Sequence, residues 1–219
     1  MPDQKHDFIG GILDRFMGRT APPPRPQPPS LPKPPATATP GTPQYALTKA
    51  QDDARNDPAF KPKADGTTFC NRATCEIVKQ MKGPMAALTY PNGEYAVAND
   101  AGRYLAIEAG VPTGSWREVP RHDAQRLANE GIVVVGVQRN PGRDERGRQN
   151  HGHMVTVRPE SMPGFAASLE SKLSKPDRLR EIVPIVNNIG GQLSVESAET
   201  AFRKDRDSEP VFYYTPRRR

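Results

Sequence analysis

The chain has 219 residues, 35% of them hydrophobic and 25 of them proline, and its 31 Lys and Arg against 25 Asp and Glu give a net charge of +6. No apolar run approaches the roughly 18 residues that a membrane-spanning helix needs, and two cysteines cannot form a disulfide scaffold. The prolines lack the glycine at every third position that collagen requires, so these totals favour one domain of ordinary size joined to non-globular chain.

The N-terminal segment, residues 1–20, carries apolar side chains at positions 8, 9, 12, 13 and 16, which is the spacing of one helix face. Residues 8–17 are therefore interpreted either as an amphipathic helix that docks on a partner or a membrane surface, or as a poorly ordered terminus. Gly10, Gly11 and Asp14 interrupt the apolar stretch, and no small-residue cleavage site follows. We therefore expect no secretory signal and synthesis in the cytoplasm.

A proline-rich linker is predicted over residues 21–44, because eleven of the 25 prolines lie between positions 22 and 43. Such a sequence cannot bury enough apolar surface to fold and favours an extended polyproline-II spacer. Its PxxP spacings also suit an SH3-type groove, although the spacer interpretation is preferred.

The positive charge lies mostly at the ends of the chain. Residues 1–45 have a net charge of +2, the basic tail 217–219 adds +3, and about +1 is left for residues 46–216. A nearly neutral domain, placed at 45–216, argues against specific nucleic-acid binding. Basic tails suit an anionic polymer such as a cell wall or a membrane surface.

Within the domain, helices come first and strands follow, which favours an α+β fold with an antiparallel sheet. The predicted helices lie at 45–56, 69–81, 99–109, 121–130, 165–173 and 195–203. The predicted strands lie within 132–137, 154–157, 182–189 and 211–214, with a loop at 139–152. Asn99 and Ser194 are expected to cap the helices that follow them, and Gly110 and Gly131 to end helices.

Cys70 is the candidate nucleophile, because it falls at the start of the helix predicted over 69–81. The N–H groups and dipole at a helix N-terminus stabilise a thiolate, which is the nucleophilic form of cysteine. Cys75 cannot pair with Cys70 within one helix, since five residues separate the side chains by roughly 7.5 Å along the axis. Cys75 is therefore interpreted as a small core residue.

His153 is the candidate general base, because a strand end is a rigid mount for such a group. A base needs a partner for its second ring nitrogen, and the candidates are Asn188, Asn187 and Glu160. A turn before Gly190 explains the asparagine pair equally well. His151 and His153 share a strand face, but no Cys, Asp or Glu cluster completes a metal site, so neither metal nor cofactor is expected.

The ordered motifs Thr68-Phe69-Cys70-Asn71, Gly152-His153-Met154-Val155-Thr156-Val157 and Asn188-Ile189-Gly190 resemble the papain-like amidase superfamily of CHAP and NlpC type. The segment 116–131 before the valine-rich strand resembles phage members, and the resemblance covers about residues 60–215. It implies a papain-like α+β fold in which helices carrying the cysteine pack on a small antiparallel sheet carrying the histidine. It also implies that Cys70 is the nucleophile and its N–H an oxyanion donor, His153 the base, and Asn188 the residue that orients His153. The long segment 160–181 departs from the pattern and keeps Asn187 and Glu160 as alternatives to Asn188.

The resemblance therefore implies a monomeric peptidoglycan hydrolase that cleaves an amide bond of the peptide stem. It would act as a phage endolysin or as a delivered antibacterial effector with an immunity protein. Such a protein would reach the periplasm or cell wall by holin-type release, a secretion system or a virion. The alternative is a non-catalytic phage or secretion-associated interaction protein with the same fold.

Overall fold

The computed structural model describes residues 39–64, 68–143, 147, 150–160, 183–190, 193–202 and 208–216. The chain divides into the units Met1–Ser30 and Leu31–Arg219, and all described residues lie in the second. Four predicted features lie wholly or largely outside the described residues: the segment 8–17, the linker 21–44, the helix 165–173 and the tail 217–219.

Helix α1 (Pro43–Asn56) begins where the sequence provides a cap. The Thr42 hydroxyl accepts a hydrogen bond from the N–H of Tyr45 at 3.2 Å. Proline at the first helical position is tolerated because its missing N–H would have no partner within the helix. Four buried residues at helical spacing, Leu47, Ala50, Gln51 and Ala54, form the face that packs on the domain.

The described residues form a 3₁₀ turn (Pro58–Phe60), α2 (Cys70–Gln80), α3 (Ala98–Gly110), α4 (Arg121–Asn129) and α5 (Ala198–Ala201). Helices α2, α3 and α4 lie close to their predicted positions, but the helix predicted over 195–203 is wrong at its start, because residues 195–197 belong to a strand. Gly131 follows α4 with a φ of +74°, which is the left-handed conformation that glycine commonly supplies after a helix.

A six-stranded antiparallel sheet forms the second layer, so the α+β prediction is confirmed. Its strands are β1 (Arg117–Val119), β2 (Val134–Gln138), β3 (His153–Val157), β4 (Ile185–Ile189), β5 (Leu193–Ser197) and β6 (Val211–Tyr214). Their spatial order is β1-β6-β2-β3-β4-β5.

Alternation along the strands divides the core into two clusters, one on each face of the sheet. Met154 and Ile189 belong to the cluster that includes apolar residues of α1, α2 and α3. Val155 and Val186 belong to the other cluster, with residues of α4 and α5 and with Phe202. Both faces are therefore covered, and strand register decides which side chains each layer receives.

Two predicted helix caps are wrong. The N-cap of α3 is Val97 rather than Asn99, which lies inside the first turn and is buried. Ser194 lies within β5, and the short helix α5 is capped by the hydroxyl of Ser197 instead. The residues 193–197 alternate between apolar and polar, and this period-two pattern prevailed over the capping preference of serine.

Candidate active site

Cys70 is the first residue of α2, as predicted, and its residue is 7% exposed. The N-cap is Phe69, whose aromatic side chain has no hydrogen-bond acceptor to offer the first-turn N–H groups. Those N–H groups and the helix dipole favour a negative charge at this position. The Lys63 ammonium and the Arg72 guanidinium lie 5.4 and 5.5 Å from the centre of the Phe69 ring, so two cations flank the residue before the thiol.

Cys75 has the opposite environment on the same helix. It is 0% exposed, and its thiol donates a 3.5 Å hydrogen bond to the carbonyl oxygen of Leu88. Burial is the main cause that raises the pKa of the Cys75 thiol to about 12, with the neighbouring Glu76 charge adding to it. Cys75 therefore stays a neutral thiol, as expected of a core residue.

His153 is the first residue of β3, and its ring makes a specific polar contact on the next strand. Its Nε2 lies 2.9 Å from Oδ1 of Asn188 on β4. The Phe202 ring packs edge-on against the imidazole, with 5.8 Å between ring centres. Of the three residues considered as partners of His153, the structure therefore brings Asn188 into contact with its ring.

The backbone at Gly190 leaves room for the imidazole. A Cβ at this position would lie 2.9 Å from Cε1 of His153, which is closer than side-chain carbons normally approach. It would also lie 3.3 Å from Oδ1 of Asn188. The absence of a side chain at Gly190 thus permits the observed position of the ring.

Cys70 and His153 lie at the same end of the sheet. The side-chain amide of Asn71 donates to the carbonyl of Ala96 at 3.0 Å, which places the start of α2 beside the start of α3. A Cβ on Gly152 would lie 3.2 Å from the Cβ of Ala98, so the residue before His153 touches α3 there too. Helix α2 also packs along β3 and β4.

Side chains two residues apart in a strand lie on the same face, so His153 lies on the face of Val155 and Asn188 on the face of Val186. This face is opposite to the one on which α2 packs. His153 is the terminal residue of its strand, and Cys70 is the terminal residue of its helix. A contact between the two side chains would therefore have to run around the end of the sheet rather than across its face.

The other candidate partners lie elsewhere. Asn187 is on the opposite face, where its amide donates to the carbonyl of Gln51 in α1 at 3.3 Å. Glu160 lies beyond the far end of β3, seven residues or roughly 20 Å of extended chain from His153. His151 is exposed and precedes the strand, and the described residues contain no group of three His, Cys, Asp or Glu that could hold a metal ion.

The loop between β2 and β3 is tied to the start of α3 by Asn99. Its side-chain Nδ2 donates to the carbonyls of Asn140 and Asn150, both at 2.9 Å, and its Oδ1 accepts from the N–H of Asn140 at 2.7 Å. The two ends of the loop are joined directly by a 2.8 Å hydrogen bond from the N–H of Asn150 to the carbonyl of Gly142. This clamp fixes the backbone that leads into His153.

Glu196 was not among the predicted site residues, and Ser194 was predicted as a helix cap rather than as a hydrogen-bond donor beside Asn188. Asn188 Nδ2 donates to Oε1 of Glu196 at 2.5 Å, and the Ser194 hydroxyl donates to the same oxygen at 3.0 Å. The signal available in the sequence was the alternation of 193–197, which predicts a strand with Ser194 and Glu196 on one face, although it does not show which strand is its neighbour.

No protein-family model matches the chain, and comparison with the curated proteins finds no match. Among the described residues, no helix is both long and apolar enough to span a membrane.

Proposed function

We propose that this protein is a papain-like cysteine amidase or endopeptidase that hydrolyses an amide bond in the peptide stem of peptidoglycan. The observation that carries the proposal is the 2.9 Å contact between His153 and Asn188 at the end of the sheet where Cys70 begins α2. A thiol at a helix N-terminus, a histidine and an amide that orients it are the groups that cysteine acyl transfer requires.

In the proposed reaction the Cys70 thiol proton passes to His153, and the sulfur forms a bond to the carbonyl carbon of the scissile amide. The carbonyl oxygen becomes an oxyanion, which the backbone N–H of Cys70 stabilises. Collapse breaks the C–N bond while His153 gives its proton to the departing amine. Water, deprotonated by His153, then hydrolyses the thioester, which yields the carboxylic acid product and restores the thiol.

The substrate class rests on the resemblance to CHAP and NlpC enzymes and on the basic ends of the chain, which suit an anionic wall polymer. The stem peptide lies outside the cytoplasm, so the proposal includes holin-type release, or delivery by a secretion system or a virion. Phage lysis enzyme and delivered effector are both compatible with it, and an immunity protein belongs to the second case only.

The test uses the purified full chain on isolated peptidoglycan, with mass spectrometry of the released fragments. We expect Cys70→Ala to abolish release and Cys75→Ala, the matched change five residues away, to retain it. The mass difference of the fragments identifies the bond cleaved. Equal release by wild type and Cys70→Ala would refute the enzyme and leave the non-catalytic interaction protein.

A second measurement tests the thiol itself. Iodoacetamide at mildly acidic pH is expected to label Cys70 first, because thiolate is the reactive form and Cys75 is held neutral by burial. Equal labelling of the two cysteines, or none, would contradict the assignment of Cys70.

A further inference from the structure

The hydrogen bonds at His153 continue beyond Asn188 onto a third strand. Asn188 and Ser194 are register partners on β4 and β5, and Glu196 is the partner of Val186, two positions along on the same face. Diagonal neighbours of this kind are within reach of long side chains. His153, Asn188 and Glu196 therefore form one connected row across three adjacent strands.

Glu196 is buried in this row, with 8% of its residue exposed, and its Oε1 accepts from both Asn188 and Ser194. A carboxylate only accepts hydrogen bonds, so the Asn188 atom that faces it must be the amide nitrogen. The amide oxygen then faces His153, where it too can only accept. The His153 Nε2 at 2.9 Å from that oxygen must therefore carry a hydrogen.

We infer that Glu196 is a positioning residue: it fixes the Asn188 amide and so holds neutral His153 as the Nε2–H tautomer, which leaves Nδ1 to accept the proton. Without the carboxylate, the Asn188 amide can rotate by half a turn and present its nitrogen to the imidazole. That arrangement favours the opposite tautomer, whose Nδ1 already carries a hydrogen and cannot take one from a thiol. The catalytic part of this inference rests on the proposed function, whereas the tautomer does not.

The test measures the tautomer by the ¹⁵N chemical shifts of His153 in the labelled full chain, at a pH where the ring is neutral. The His153→Gln variant identifies its signals among those of the four histidines. We expect the Nε2–H form to predominate in the wild type. Predominance of the Nδ1–H form in the wild type would overturn the inference without any variant.

The variants separate orientation from general damage. Glu196→Ala removes the acceptor and is expected to give a mixture of tautomers, with kcat reduced about tenfold and KM within twofold, since Glu196 is buried and acts through Asn188. Glu196→Gln keeps an oxygen that can accept from Asn188 and should restore most of the tautomer preference and of kcat. The control variant Glu199→Gln makes the same chemical change in an exposed ion pair with Arg121. It should alter neither the tautomer preference of His153 nor kcat.

An unchanged tautomer and an unchanged kcat in Glu196→Ala would refute the positioning role. If Glu196→Ala does not fold, as judged by circular dichroism, the wild-type tautomer decides the inference. If wild type cleaves no peptidoglycan but the tautomer responds to Glu196→Ala, the proposed function fails and the control of His153 by Glu196 stands.

Discussion

Substitution of Gly190 by alanine tests the position of the His153 ring directly. The added Cβ would lie 2.9 Å from Cε1 of His153, whereas ordinary contact begins at 3.4 Å, so the ring must retreat by about half an ångström. The hydrogen bond to Asn188, now 2.9 Å long, would lengthen toward the limit at which hydrogen bonds are lost. The Phe202 ring packed against the imidazole restricts other ways of moving.

The expected cost in stability is about 1 kcal/mol, the low end for overpacking, because the ring is only half-buried. The expected loss of kcat is larger, up to about a hundredfold, since a misplacement of roughly 1 Å in a catalytic group costs that much. Urea unfolding followed by circular dichroism measures the loss of stability, and the rate at which peptidoglycan fragments are released measures the loss of kcat.

Gly110→Ala is the matched control. A Cβ there meets nothing within 4 Å, and Gly110 is the last residue of α3. Alanine should leave kcat unchanged and raise stability by up to about 1 kcal/mol, the helix-propensity difference. Full activity of Gly190→Ala with an unshifted His153 signal would refute the reasoning, because the ring would then not occupy the space that Gly190 provides.

Three further predictions concern the hydrogen bonds of Asn99, the buried thiol of Cys75 and an ion pair between Asp52 and Arg158. Asn99→Ala removes the side-chain hydrogen bonds to the loop 139–152 and should speed tryptic cleavage after the loop arginines several-fold; unchanged cleavage would show that the loop is fixed otherwise. Burial raises the pKa of the Cys75 thiol from an ordinary 9.0 to about 12, so the stability contributed by the protonated thiol is complete below about pH 9 and is lost as the pH rises toward 12. The unfolding free energy of wild type should therefore fall relative to Cys75→Ala by up to about 1.4 kcal/mol per pH unit in that window, whereas parallel profiles would contradict the shift. Asp52→Asn removes the counter-charge 3.0 Å from two nitrogens of Arg158, whose side chain is 3% exposed. Because Asp52 is 35% exposed, we expect the variant to lower the unfolding free energy measured in urea by about 2 kcal/mol, less than the loss of a fully buried pair would cost. A change of less than about 0.5 kcal/mol would contradict a stabilising role for this ion pair.

The helices and central strands were predictable because local signals mark them. Thr42 and Gly131 delimit helices through capping and a left-handed turn, and the valine-rich run before Gln138 has the β-branched composition of a buried strand. Cys70 and His153 were placed at element ends by the same signals. The strand β1 was missed because three residues give too short a pattern for periodicity to be read.

The hydrogen-bond network could not be predicted in the same way, because it depends on pairing between distant segments. Asn99 looks like a cap when only its neighbours are considered, but its partners are 41 and 51 residues away. Glu196 gains its significance only from the β4–β5 register, which puts it diagonal to Asn188. Neither relation has a local signature, since serine and asparagine side chains also form local hydrogen bonds in turns and caps, and a glutamate in a strand does not reveal its partner.

The dependence on register explains how a small sheet can hold such a site without a metal or a disulfide among the described residues. Side chains alternate between faces, so a slip of one residue between β4 and β5 would turn Glu196 away from Asn188 and bury Val195 in its place. The same slip would turn Leu193 away from the cluster that contains Met154 and Ile189, against which it packs. The packing energy that selects this register therefore also selects the Asn188–Glu196 contact, and through it the orientation of His153.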